Sequence, residues 1–332
     1  MIDMVTFPNK LKKIAEKKQT RIILSLDLTC NNNELLKKSK ALIFNTANNI
    51  CAVKINYHLL LPLSFNTMKN LISVMHENNL LVIADIKLND ISSTNLVAIN
   101  HLWRMGFDAL IVNPFVGFKD GLDLLLNTSR KKNKGVIFLV YMSHIGAKDG
   151  YGLEIFKNGK KNKLYYEFAK RALSWKADGM VIGGNNNKII TEISKFTKHK
   201  IDIFSPGIGY QGANEIDAIK AGVDYLIIGR TIINSKNPSS IVQRISLNYW
   251  NEYLKQNPNS SVETMENLFS VGCVIDTVSG NTFPMMADSS IGFDESTNVM
   301  DMDFNDDSYE WYNSLDVVDK QIVDNVCEKF MS

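Results

Sequence analysis

Eight short apolar runs, rich in β-branched residues, recur along the first 230 residues, and their number and even spacing constrain the fold more than any other feature. They are RIILSLD (21–27), CAVKI (51–55), LLVIADIK (80–87), DALIVN (108–113), GVIFLVY (135–141), GMVIGG (179–184), DIFSPG (202–207) and DYLIIGR (224–230). Stretches with helical periodicity, such as SFNTMKNLISVMHENN and LYYEFAKRALSWKA, lie between them. Continuous apolar strands alternating with helices predict a parallel sheet covered on both faces. Eight such units predict an α/β fold of the (β/α)8 TIM-barrel type. A doubly wound open sheet is the rival, but no G-x-G-x-x-G follows the first strand.

Barrel enzymes gather their chemistry at the carboxyl ends of the strands, and the polar residues of this chain fall there. Asp27 ends strand one, Lys54 lies near the end of strand two, and Asp85 and Lys87 end strand three. Ser143 follows strand five and Arg230 follows strand eight. Residues two apart on a strand point to one side, so Asp85 and Lys87 are expected to share a face. With Lys54 and Asp90 they would form an array of alternating charge, each carboxylate favouring the protonated form of its lysine neighbours. A protonated lysine held against a substrate carbon is a general acid. The combination suits decarboxylation without metal or cofactor, in which carbon dioxide leaves and lysine protonates the carbanion. The alternative is a structural salt-bridge network, an expensive use of buried ion pairs. After strand seven, FSPGIGYQGA (204–213) is a glycine-rich loop, and IIGRTI (227–232) places Gly229 and Arg230 after strand eight. Loops at these two positions are where such barrels bind phosphate.

Composition narrows the partners. From Ser246 to Ser332 there are 16 acidic and 3 basic residues, a net of −13, whereas residues 1–245 carry +15. A basic body suits anionic small molecules; no interleaving of aromatic and basic residues points to nucleic acid. No apolar run approaches the length of a membrane span, and the N-terminus reads as an amphipathic helix rather than a secretory signal. The four scattered cysteines contain no C-x-x-C and fit free thiols in a reducing cytoplasm. No histidine pairs with a cysteine or another histidine at zinc-binding spacing, so no metal site is expected. The expected division is a barrel domain over 1–245 and an acidic C-terminal extension over 246–332 whose role the sequence leaves open. Within the extension a short hairpin is expected around VSGN and a helix near Leu315–Phe330. The aspartates of DMDFNDD lack the glycine and glutamate of a calcium loop.

Taken together, DIKLND (85–90), RIILSLD, VKINYHLLL, YMSHIGA, SPGIGYQG and IIGRTI resemble, in order, the motifs of the orotidine 5′-phosphate decarboxylase family, over about Arg21 to Ser240. The resemblance implies conversion of orotidine 5′-phosphate (OMP) to UMP without metal or cofactor. It implies that Lys87 donates a proton to C6 of the pyrimidine, that Asp85 faces the departing carboxylate, and that Lys54 and Asp90 complete the array. Asp27 and Lys54 would hold ribose hydroxyls, Ser143 would contact the pyrimidine, and Pro206, Gln211, Gly229 and Arg230 would form the phosphate site. Asp90 and Thr94 would act across the interface of a homodimer. Related sugar-phosphate enzymes share the D-x-K-x-x-D pattern but use magnesium, with an acidic residue near the end of strand two. Lys54 occupies that strand here and favours the orotidylate branch. A phosphate-ligand binding module with a partner-recruiting tail is the reading from another class. No phosphoribosyltransferase segment precedes Arg21, so decarboxylation alone is expected.

Overall fold

Alternation along the strands decides the architecture. The computed structural model describes residues 6–157, 159–207 and 214–256, together with two short strands at 273–275 and 282–284. Eight parallel strands close a barrel in the order β1-β8-β7-β6-β5-β4-β3-β2. They are β1 (Ile22–Ser25), β2 (Ala52–Ile55), β3 (Leu81–Leu88), β4 (Ala109–Val112), β5 (Gly135–Tyr141), β6 (Gly179–Ile182), β7 (Ile203–Pro206) and β8 (Tyr225–Ile228). Closure comes from β8 pairing with β1, Ile23 opposite Ile227. Each run expected from the sequence is therefore a barrel strand.

Two apolar layers result from the two faces of the sheet. Ile22, Leu24, Val53, Ile55, Val82 and Ala84 pack outward against the helices. Their neighbours Ile23, Ala52, Ile83, Ile111, Ile137, Leu139, Val181 and Ile227 fill the barrel interior. The N-terminal helix Phe7–Lys17, with Phe7, Leu11 and Ala15 buried at four-residue spacing, joins that interior cluster and plugs the end where the strands begin. The plug needs a glycine opposite it: a Cβ on Gly135 would lie 2.4 Å from the Phe7 ring. With the lower interior filled by hydrocarbon, only the last inward positions are left for polar groups.

The segment after β5, long and basic in the sequence, folds into a short helix, Ala147–Gly150, and an antiparallel hairpin of Glu154–Lys157 with Lys160–Lys163. The last helix among the described residues, Pro238–Gln256, continues through the division expected at 245/246 and buries Ser246, Tyr249 and Trp250. The first compact unit accordingly extends to Lys255. The change in charge marks a different place from the end of packing, because Ile245, Tyr249 and Trp250 keep helical spacing into the acidic region. In the second unit, Cys273–Ile275 pairs antiparallel with Thr282–Pro284 on either side of VSGN. The expected helix near 315–330 and the aspartate-rich DMDFNDD lie outside the described residues.

At the closed end of the barrel, Arg21 donates to Tyr253 Oη at 2.8 Å and stacks over the Tyr253 ring, 4.1 Å from its centroid. Asp224 lies nearby, accepting the Ile203 N–H at 2.8 Å. Burial and the neighbouring Asp202 push the Asp224 carboxyl up to about 7, against the opposing pull of the Ile203 N–H and Arg21. The unfolded chain ionises this group near pH ~4. Stability from Asp224 is thus full at low pH and declines as pH rises from ~4 through about 7, since the unfolded state releases the proton first. Asp224→Asn keeps an oxygen for the Ile203 N–H and removes the ionisation. Thermal unfolding should show a larger gain in Tm at pH 8 than at pH 5; an equal or greater gain at pH 5 would contradict the assignment.

Candidate active site

At the open end of the barrel, the inward positions of β1, β2 and β3 change from hydrocarbon to charge. The register sets Ser25 beside Lys54 and Lys54 beside Ile83, so Asp85 stands one inward step above Ser25 and Lys54, within reach of the long Lys54 side chain. The result is a continuous polar row. Ser25 Oγ donates to Asp27 Oδ2 at 2.6 Å, and Lys54 Nζ lies 3.7 Å from Asp27 Oδ1 and 2.7 Å from Asp85 Oδ2. Lys87 Nζ completes it at 2.6 Å from Asp85 Oδ1. Lys54 and Asp85 are buried, with 5% and 7% of their surfaces exposed.

Such burial would be costly for either partner alone, and the alternation of sign offsets it. Desolvation would raise the Asp85 carboxyl, but the charges and hydrogen bonds of Lys54 and Lys87 outweigh it and hold the group below the usual aspartate range. Asp85 is therefore a fixed anion with both oxygens occupied by ammonium groups. Among the described residues, no three His, Cys, Asp or Glu side chains gather in an arrangement that could hold a metal ion. Lys54 supplies the cation between the Asp27 and Asp85 carboxylates.

Lys87 reaches Asp85 by a route the simple pleat does not provide. The β3–β4 pairing shifts register between Ala84 and Leu88, and Lys87 has a φ of +47°. A left-handed backbone at a residue with a side chain costs on the order of 1–2 kcal/mol. The irregularity re-aims the lysine, as strand bulges beside active sites commonly do.

The row forms one wall of a cavity of about 200 Å³. Ile111, Leu139, Val181 and Ile227 contribute apolar lining, and Ser143, Pro206, Gly229 and Arg230 complete the rim. Ser143 is placed closely: Asn185 Nδ2 donates to its carbonyl at 2.9 Å, and a Cβ on Gly183 would come within 2.6 Å of Ser143 Cα. Gly229 packs against β1, where a Cβ would stand 3.1 Å from both the Ser25 Cβ and carbonyl. The small residue lets the start of the helix Arg230–Ile233 approach Asp27. A flat or extended ligand with an anionic end at Arg230 and a reactive carbon near Lys87 fits this division into apolar floor, charged wall and cationic end.

Of the expected site residues, Asp27, Lys54, Asp85, Lys87, Ser143, Pro206, Gly229 and Arg230 line this one cavity. Asp90 and Thr94 do not line it within the protomer. Both are exposed; Asp90 Oδ1 accepts the Ile91 N–H at 2.7 Å at the start of the helix Ser92–Met105. Gln211 lies outside the described residues. Sequence reasoning passed over Ser25 and Asn56, which also line the cavity. Asn56 Nδ2 donates to Asp27 Oδ1 at 2.7 Å. Its signal was present, since it stands two residues beyond Lys54 and the strand period carries it toward the same side.

Known proteins share this fold. The model of the Orotidine 5'-phosphate decarboxylase / HUMPS family matches residues 20–245. The orotidine 5′-phosphate decarboxylase of Methanosarcina mazei is 31% identical over 69% of this chain and 95% of its own length. Among solved structures, orotidine 5′-phosphate decarboxylase from Pyrococcus horikoshii aligns with a TM-score of 0.56 and 30% identity, covering 69% of this chain and 98% of that one. The Methanocaldococcus jannaschii enzyme complexed with the inhibitor BMP aligns with a TM-score of 0.57 and 26% identity, over 68% and 97%. The matched residues begin just before β1, end in the last helix and contain the whole charged row. Barrel and sequence thus agree, and the chain belongs to the orotidine 5′-phosphate decarboxylase / HUMPS family.

Proposed function

We propose that the row Asp27–Lys54–Asp85–Lys87 carries the reaction by which this enzyme converts OMP to UMP and carbon dioxide in pyrimidine biosynthesis. The carrying observation is an Asp85 carboxylate held ionised between two lysines at 2.7 and 2.6 Å. The substrate carboxylate is placed against Asp85, where like charge disfavours the bound ground state. The C6–carboxyl bond breaks, carbon dioxide leaves, and the bonding pair stays on C6. The Lys87 ammonium then transfers a proton to that carbon, giving UMP and a neutral amine that solvent reprotonates. Lys54 keeps Asp85 anionic throughout and, with Asp27, holds the ribose hydroxyls.

Arg230 grips the phosphate together with backbone groups around Pro206 and Gly229 and with Gln211. Ser143 contacts the pyrimidine over the apolar floor. Binding energy from the phosphate end, remote from C6, is available to place the carboxylate against Asp85. No metal or cofactor is needed in this scheme, because Lys54 provides the positive charge that a metal-dependent relative would draw from magnesium.

The working unit in this reading is a cytoplasmic homodimer in which Asp90 and Thr94 complete the neighbouring subunit's site. Two features support it. Ile91 and Val97, flanking Thr94, are 59% and 60% exposed, an apolar surface that suits a subunit interface. Cys30 and Cys51 are free thiols, which suits a reducing compartment. No helix among the described residues is long and apolar enough to cross a membrane.

Lys87→Ala should lower kcat by at least about a hundredfold, the range for loss of a general acid, with little change in Tm. Retention of most activity would remove the proton-donor assignment. The dimer has its own test in complementation. Lys87→Ala and Asp90→Ala proteins, each inactive alone, should regain about a quarter of wild-type activity when refolded together, because half the dimers are mixed and each holds one intact site. Absence of any recovery, with mixed dimers demonstrated by mass, would place Asp90 in its own subunit's chemistry.

A further inference from the structure

The bulge that aims Lys87 is held from outside the sheet. Three contacts fix the chain around it: Lys87 Nζ to Asp85 Oδ1 at 2.6 Å, the Asn113 N–H to the Leu88 carbonyl at 2.9 Å, and Tyr57 Oη to the Ile86 carbonyl at 2.8 Å. The first two belong to β3 and its neighbour β4. The third comes from the short helix Tyr57–Leu60 that follows β2. Ile86 is joined by its carbonyl to the nitrogen of Lys87, so the phenol grips the same peptide unit whose far side has the φ of +47°.

The anchor of this grip is itself tied into the site. Asn56, immediately before Tyr57, accepts the His58 N–H at 2.9 Å through its Oδ1 and donates through Nδ2 to Asp27 at 2.7 Å. The turn bearing Tyr57 is thus fastened to the ribose-side carboxylate at one end and to the Lys87 peptide at the other. Tyr57 does not line the cavity, and 52% of its surface is exposed. Its ring adds nothing to the buried core, whereas its hydroxyl bonds the peptide next to the lysine.

We infer that Tyr57 is a positioning residue for Lys87, its hydroxyl holding the Ile86–Lys87 peptide in the orientation that delivers the ammonium to C6. The inference rests on the reading of Lys87 as proton donor. It separates orientation from binding, because Tyr57 touches neither the phosphate end nor the apolar floor.

Tyr57→Phe, which removes only the hydroxyl, tests it with OMP as substrate and UMP as the binding probe. The expected result is a fall in kcat of about three- to tenfold, the rate equivalent of one hydrogen bond. KM, UMP affinity and Tm should stay near wild type. Unchanged kcat overturns the inference, and so does a parallel loss of UMP affinity or Tm, which would make the phenol a binding or structural group. Lys87→Ala, measured alongside, keeps the two readings apart. If it retains turnover, the proton-donor reading fails; if it is inactive while Tyr57→Phe is unaffected, only the role of Tyr57 fails.

Discussion

One carboxylate organises the open end of this barrel. Asp85 lies in a site too dry to tolerate a lone charge, and its two oxygens are taken by Lys54 and Lys87 from opposite sides. Each ion is tolerable only because the others are present: removing either lysine leaves an anion short of a partner, and removing Asp85 leaves two like charges facing one another. Stability alone would be better served by hydrocarbon at these positions, as in the layers below. The charged row is therefore best understood as the part of the molecule shaped by its reaction, and the plugged apolar interior as the scaffold that fixes its level.

The scaffold does this through strand register. Inward residues of β1, β2 and β3 climb in steps of two from Ile23, Ala52 and Ile83 to Ser25, Lys54 and Asp85, and the long Lys54 side chain spans the one-step offset to Asp85. Glycines set further distances around the cavity, where Gly229 brings the start of the helix Arg230–Ile233 close to β1 and Gly183 admits the backbone of Ser143. The apolar floor of the cavity lowers the local dielectric and strengthens the electrostatics of the charged row.

The barrel was legible because its signal is repeated eight times and depends only on apolar run length and spacing. Asp27, Lys54, Asp85 and Arg230 were legible for the same reason, standing where strands run out into loops. Lys87 was legible in part. The period of two puts it on the face of Asp85, but the register shift and left-handed φ that produce the contact depend on partners in β4 and on Tyr57, which adjacency in sequence does not reveal. The hairpin after β5 has a local signal in the sequence, an Asn-Gly pair between the segments EIFK and KKNK. The first compact unit reaches Lys255, past the change in charge composition, because the apolar helical spacing continues beyond it. Asp90 and Thr94 stand outside the cavity of the single protomer, and the role the resemblance implies for them lies in another subunit.

The central claim is that protein ammonium groups do here what a metal ion does in magnesium-dependent relatives. Its most direct test is the turnover of OMP by the full chain in EDTA, followed by loss of the orotate absorbance. The account requires the same kcat in EDTA as in magnesium. Turnover that vanishes in EDTA and returns with magnesium would contradict it.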